Sequence, residues 1–315
     1  MKAYNGDADL KRITLERVNA HILARQIVPL VSHWDGTQGS VAACAVHDSD
    51  PRAFEAALGI PRGLVPIVDA IYRKTYSWAP PDRPIPAGGL DPGEVALARR
   101  FPAEWLEVIE PGTDLSDAAS QMILWVLSET RRANVALSPD SRVSDLLEQV
   151  ASFHREDLSG REARAQDWAS VRHQAVALAD ASPRGSIEAA AAVVAESAAW
   201  PKAPSGSVVL DVFESYVSIA DAEAASCVGW TSAEQDIADE VQAETNRVME
   251  EETRGLEGKA WELQAEQIMG RRRRQTKQKY PGLEDKHHEL RRNLGKYTWA
   301  RLLSCQQGLL NILRT

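Results

Sequence analysis

Apolar residues in this chain recur three and four positions apart almost throughout, and no alternating apolar–polar run is long enough to build a sheet. The stretch "LSDAASQMILWVLSETRRA" supplies Leu115, Met122, Ile123, Trp125, Val126 and Leu127 to a core. Only "SVVLDVF" competes as a strand, and it lies within a segment that also reads as a helix through Val209, Val212, Phe213, Tyr216, Val217 and Ala220. A mainly α fold is expected.

Local signals place the helix ends. Asp7 and Asp9 suit an N-terminal cap, and Leu10, Ile13, Val18, Ile22 and Leu23 follow on one face, with Pro29 expected to end or kink that helix. Asp50, Pro51 and Gly59 bracket a short helix as cap, first-turn proline and terminator. Pro61 can open the next, carrying Leu64, Ile67, Val68, Ile71 and Tyr72. "APPDRPIPAGGLDP", from Ala79 to Pro92, is too rich in Pro and Gly for a helix or central strand and is expected to be a loop. Ser138 and Pro139 introduce a helix through Val143, Leu146, Leu147, Val150 and Phe153. Thr231 and Ser232, with Glu234 and Gln235 three residues after each, offer two overlapping capping boxes.

The length, 315 residues, suggests more than one domain. A compact helical domain is expected over residues 1–160, an Ala-rich helical region over 161–230, and a charged helical hairpin over 231–315, turning at "YPG". Trp168, Trp200, Trp230 and Trp261 recur at intervals of 32, 30 and 31 residues, which fits either helical repeats or large aromatics anchoring Ala-rich helices.

No apolar run approaches the roughly 18 residues a membrane helix needs, and the start "MKAYNGDADLKR" lacks the apolar stretch of a signal peptide. Cys44, Cys227 and Cys305 are an odd, well-separated set without disulfide spacing, so a reducing, cytoplasmic setting is expected. The net charge of −9 conceals an asymmetry: residues 270–315 hold twelve Lys and Arg against Glu284, Asp285 and Glu289. A basic end on an acidic body points to an acidic partner, nucleic acid among them, or to pairing within the chain.

Two constellations could carry chemistry. In "GTQGSVAACAVHDSDP", Cys44 and His47 stand three residues apart and share a face if the stretch is helical. A thiolate beside an imidazole can bind zinc or another transition metal, or act as an activated nucleophile, with His21 and Glu55 as candidate helpers and His33 and Asp48 as further ligands. The alternative is an ordinary buried cysteine in the small apolar run Val41 to Val46. No Cys-x-x-Cys or His-Glu-x-x-His motif completes a metal site. Gly36 and Gly39 lack the Lys-Ser/Thr ending and preceding strand of a phosphate loop, so they read as a turn.

The second constellation is "GRRRRQTKQKYPG". Arg271, Arg272, Arg273 and Arg274, with Lys277 and Lys279, could neutralise phosphates, and Tyr280 and Trp299 could stack on bases if exposed. Equally, the arginines could pair with Glu250, Glu251 and Glu252 on the same hairpin or with a neighbouring subunit. His287 and His288, adjacent on a helix, point about 100° apart and read as a solvated charge cluster.

The positions Tyr4 to Asp7 ("YNGD"), Arg17 to His21 ("RVNAH"), Cys44 with His47, and Leu58 to Pro61 ("LGIP") together resemble a group of uncharacterised bacterial and phage-borne proteins over about the first 130 residues. That group often carries a second cysteine four residues before the first, where this chain has Ser40. The resemblance implies a boundary and no mechanism. The functional expectation is a helical interaction or scaffold protein that self-associates and contacts an acidic partner through its basic hairpin. An enzyme or metalloprotein built around Cys44 and His47 is the alternative.

Overall fold

The computed structural model describes residues 2–80, 90–138, 141–201 and 206–314. Among these residues the chain forms thirteen α-helices and no sheet, only isolated bridges, so the mainly α expectation is met.

Side-chain caps fix where several helices begin. The Asp7 carboxylate accepts from the N–H groups of Asp9 and Leu10 and starts α1 (Ala8–Leu23). After the six-residue α2 (Val41–Val46), Asp50 accepts from Arg52 N–H and Pro51 occupies the first turn of α3 (Pro51–Leu58). A short 3-10 turn leads into α4 (Val65–Trp78), and Asp91 caps α5 (Pro92–Glu107) through Glu94 N–H. Then follow α6 (Ala118–Leu137), α7 (Ser141–Leu158), α8 (Ala165–Ala181), α9 (Ile187–Ala198) and α10 (Ser207–Val228). Thr231 and Glu234 complete a reciprocal capping box at α11 (Ser232–Glu252), so of the two overlapping options the first is used. The chain ends in α12 (Gly258–Lys279) and α13 (Leu283–Leu313).

One continuous core runs from Ala3 and Tyr4 to Leu313 and draws on all three sequence regions. Its centre is α10, which packs against α9, α6, α4 and α13. Alanines make these approaches close: Ala191, Ala195 and Ala198 of α9 are fully buried. At Gly308 of α13 a β-carbon would lie 2.5 Å from the Trp125 ring, so only glycine lets α13 settle against α6.

The N-terminal motif is structural. Tyr4, Asn5 and Gly6 are all left-handed, with φ of 52°, 52° and 77°. This hook buries Tyr4, whose hydroxyl donates to Leu106 O at 2.6 Å, and Ala3 exchanges two backbone bonds with Gly112 and Thr113. It also presses on the end of α3, where a β-carbon at Gly59 would sit 2.1 Å from Lys2 O.

Several sequence expectations need correction. The buried side of α1 is Thr14 and Val18, while Ile13 and Leu23 are 43% and 86% exposed, so the apolar face was placed too far round the helix. That helix stops at Leu23, well before Pro29, where Arg25 turns left-handed at φ 56°. "SVVLDVF" is helical, opening α10. The segment before "YPG" is two helices, broken between Thr253 and Glu257 beside Gly255 and Gly258. The four spaced tryptophans are not equivalent: Trp168 is buried inside α8, Trp200 and Trp230 follow helix ends, and Trp261 lies 44% exposed in the first turn of α12. Residues 81–89 of the expected loop, and Pro139, lie outside the described residues.

Candidate functional site

The Cys44–His47 segment is built on a buried carboxylate. Asp69 stands alone in the apolar face of α4 and is fully buried. Its Oδ1 accepts from Ala42 N–H at 3.0 Å, and its Oδ2 accepts from Ser32 N–H at 2.9 Å and from the Ser40 hydroxyl at 2.8 Å. It therefore ties the Ser32 loop to the start of α2, satisfying amides that a six-residue helix leaves open. Burial outweighs these bonds and raises the carboxyl to about 6. Gly39 is required by close approach, since a β-carbon there would meet His33 O at 2.5 Å and the Trp34 ring at 2.8 Å.

Cys44 faces inward from this helix. It is fully buried, and its Sγ lies 3.4 Å from Gly39 O and 3.9 Å from Gln26 O, both acceptors for the thiol proton. Burial pushes the thiol up to about 12, the opposite of what an activated nucleophile needs. Ser40, four residues before it, is occupied with Asp69.

The histidines do come together. His47 ends α2 in the left-handed conformation, φ 59°, which swings its ring away from the α2 axis towards α1. There His21 Nε2 and His47 Nε2 are 2.8 Å apart. His21 Nδ1 lies 2.8 Å from Gln26 Oε1, an acceptor, so Nδ1 carries the proton and His21 Nε2 accepts from His47 Nε2–H. Trp34 stacks on His47 with centroids 4.5 Å apart and 9° between planes, and meets His21 edge-on at 5.5 Å. Partial burial, and secondarily the Arg17 guanidinium, hold His47 below its ordinary value. Arg17 itself donates to Ala45 O at 2.6 Å, so Arg17 and His21 both join α1 to the end of α2.

Glu55 belongs elsewhere. Its carboxylate accepts from Arg62 N–H at 3.1 Å and lines a separate cavity of about 480 Å³ with Gly63, Ser120, His154 and Trp200. His33 contributes its carbonyl to Ser40 N–H, and Asp48 accepts from Asp50 N–H. Among the described residues no group of three or more His, Cys, Asp or Glu could hold a metal ion.

At the basic end of α12 the arginines divide. Arg271 pairs with Glu252, Arg272 with Glu244 at 2.9 Å, and Arg273 with Glu284. Among the described residues, Glu252 alone of the expected acidic run pairs with these arginines; Glu251 pairs with Arg247 on its own helix. Arg274 and Lys277 are exposed and form no ion pair among the described residues. Lys279 lies 4.9 Å over the Tyr280 ring. Trp299 is buried, donating from Nε1 to Glu94 at 2.8 Å, so it is closed to base stacking. His287 packs against Trp230 at 5.7 Å and, with His288, lines a cavity of about 630 Å³ between α11, α12 and α13.

Sequence reasoning missed Asp69, Gln26 and Trp34. For Asp69 there was a signal, a lone acid in the apolar run "VPIVDAIY"; for the other two, in a loop, there was none. In comparisons with protein-family models, curated proteins and solved structures, the chain matches none.

Proposed function

We propose that this chain is a helical interaction protein that self-associates and engages an acidic partner through α11 and α12. The observation that carries the reading is how little these helices bury. Across both, only Thr245, Ala265 and Ile268 are buried, while Trp261, Leu263 and Met269 of α12 stand 44%, 60% and 53% exposed. Leu263 shares a helix face with Arg274 and Lys277, which form no ion pair among the described residues, and together they give a surface suited to contact. The charges are also complementary between copies: α11 carries eight acids and one base, α12 seven bases and two acids. A second copy set antiparallel along this arm would match acid to base and cover Leu263. An acidic partner, nucleic acid included, would compete for the same bases.

Light scattering after size exclusion, at low and high salt, tests self-association. Fluorescence anisotropy with a single-stranded oligonucleotide and with polyglutamate tests the acidic partner. Binding that falls steeply with salt and is lost in Arg274→Glu/Lys277→Glu supports the reading. These two residues are chosen because reversing Arg271 to Arg273 would break internal pairs. A chain that stays monomeric and binds neither polymer at low salt refutes it.

A further inference from the structure

We propose that His21 and His47 form a two-imidazole chelate for a borderline divalent transition-metal ion of the zinc and nickel class. The inference stands apart from the proposed interaction surface, which lies on other helices. It also differs from a thiol–imidazole site, because Cys44 takes no part.

Three observations meet at this pair. The two Nε2 atoms face each other at 2.8 Å. A tetrahedral metal with bonds of about 2.0–2.1 Å holds two nitrogens roughly 3.3 Å apart, so the rings need to part by about half an ångström. The rings are oriented from outside the pair: Gln26 fixes the proton of His21 on Nδ1, so its Nε2 presents a lone pair, taken up by His47 Nε2–H in the metal-free pair, and Trp34 holds both rings. Support of this kind is what metal-binding imidazoles generally have. The pair also opens to solvent, since His47 is exposed, so an ion can enter and complete its coordination with water.

His47 donates from Nε2 in the metal-free pair, so binding requires that proton to leave and Nδ1 to take one up from solvent: His47 changes tautomer.

Titration of the untagged, chelator-treated chain with zinc chloride by calorimetry tests this. One equivalent should bind, and His21→Ala and His47→Ala should each weaken it by about tenfold or more. His288→Ala, which breaks the other histidine neighbourhood, should leave binding unchanged. A second readout needs no variant: imidazole nitrogen resonances of the intact chain should show both Nε2 signals moving with zinc. Zinc binding undiminished in the His21 and His47 variants, or Nε2 signals of the pair that stay put at saturating zinc, would overturn the proposal.

Discussion

Replacing Gly59 by alanine tests how tightly the N-terminal hook is locked. Gly59 ends α3 at φ 62°, and Gly229 ends α10 at φ 63°, so the two share one backbone conformation. Alanine in that conformation costs about 1–2 kcal/mol at either site. At Gly229 nothing lies within 4 Å of the new β-carbon, and the cost should end there. At Gly59 the β-carbon would stand 2.1 Å from Lys2 O and 2.9 Å from Asn5 Oδ1. Lys2 cannot simply retreat, because Ala3 is bonded to Gly112 and Thr113 and Tyr4 to Leu106. Overpacking of this kind adds about 1–3 kcal/mol, and each hydrogen bond lost in relieving it about 0.5–1.5 kcal/mol. Gly59→Ala should therefore lose about 3–5 kcal/mol and Gly229→Ala about 1–2 kcal/mol, read from urea denaturation by circular dichroism and tryptophan fluorescence together. Equal losses in the two variants would refute the claim that the hook and α3 are locked by contact.

Three further outcomes are expected. Under native conditions one thiol per chain should react quickly with an aromatic disulfide reagent, and Cys227→Ser should abolish that phase, because Cys227 is exposed whereas Cys44 and Cys305 are buried; a fast phase lost in Cys44→Ser instead would contradict the geometry. His154 is buried, donates from Nε2 to Ala198 O at 2.8 Å, and is held by burial below its ordinary value of 6.5. As pH falls through 6.5 the unfolded chain takes the proton first, so stability is lost in that direction, and His154→Gln should flatten this part of the profile; Asp69, raised to about 6 from 3.8, acts in the opposite sense between those values, losing stability as pH rises. Arg301 and Glu223 form a nearly buried pair at 2.8 Å between α13 and α10, so Glu223→Ala should cost about 3 kcal/mol in thermal or urea melts, with much of it recovered in Glu223→Ala/Arg301→Met; additive losses would show that the pair is not coupled.

What the sequence disclosed was mostly local. Asp7, Asp50 with Pro51, Gly59 and the Thr231–Glu234 box mark helix ends because each acts within a few residues of itself. The face of α1 was misjudged because burial there is decided by distant elements: Val18 is covered while Leu23, equally apolar, faces solvent. At the site, His21 and His47 were both recognisable as candidates, yet their meeting depends on a left-handed residue at the end of α2 and on an acid in α4. The burial of Cys44 likewise follows from which side of a short helix faces the core. At the basic tip, pairing of Arg271 with Glu252 was legible from the hairpin, whereas Glu244 and Glu284 emerge only from helix register.

The docking of α13 bears on how the chain can be made. Leu302, Cys305, Leu309, Leu310 and Leu313 complete a core whose other walls include α4, α6 and α10. Those walls leave the ribosome long before α13 does, and contacts so distant in sequence form slowly. Until the last helix arrives, the surface it will cover is an unpaired apolar groove on a nascent chain, the kind of surface that recruits chaperones or aggregates. A pause at any point before α13 has emerged prolongs that exposure, whether it falls in α13 itself or in the charged helices before it.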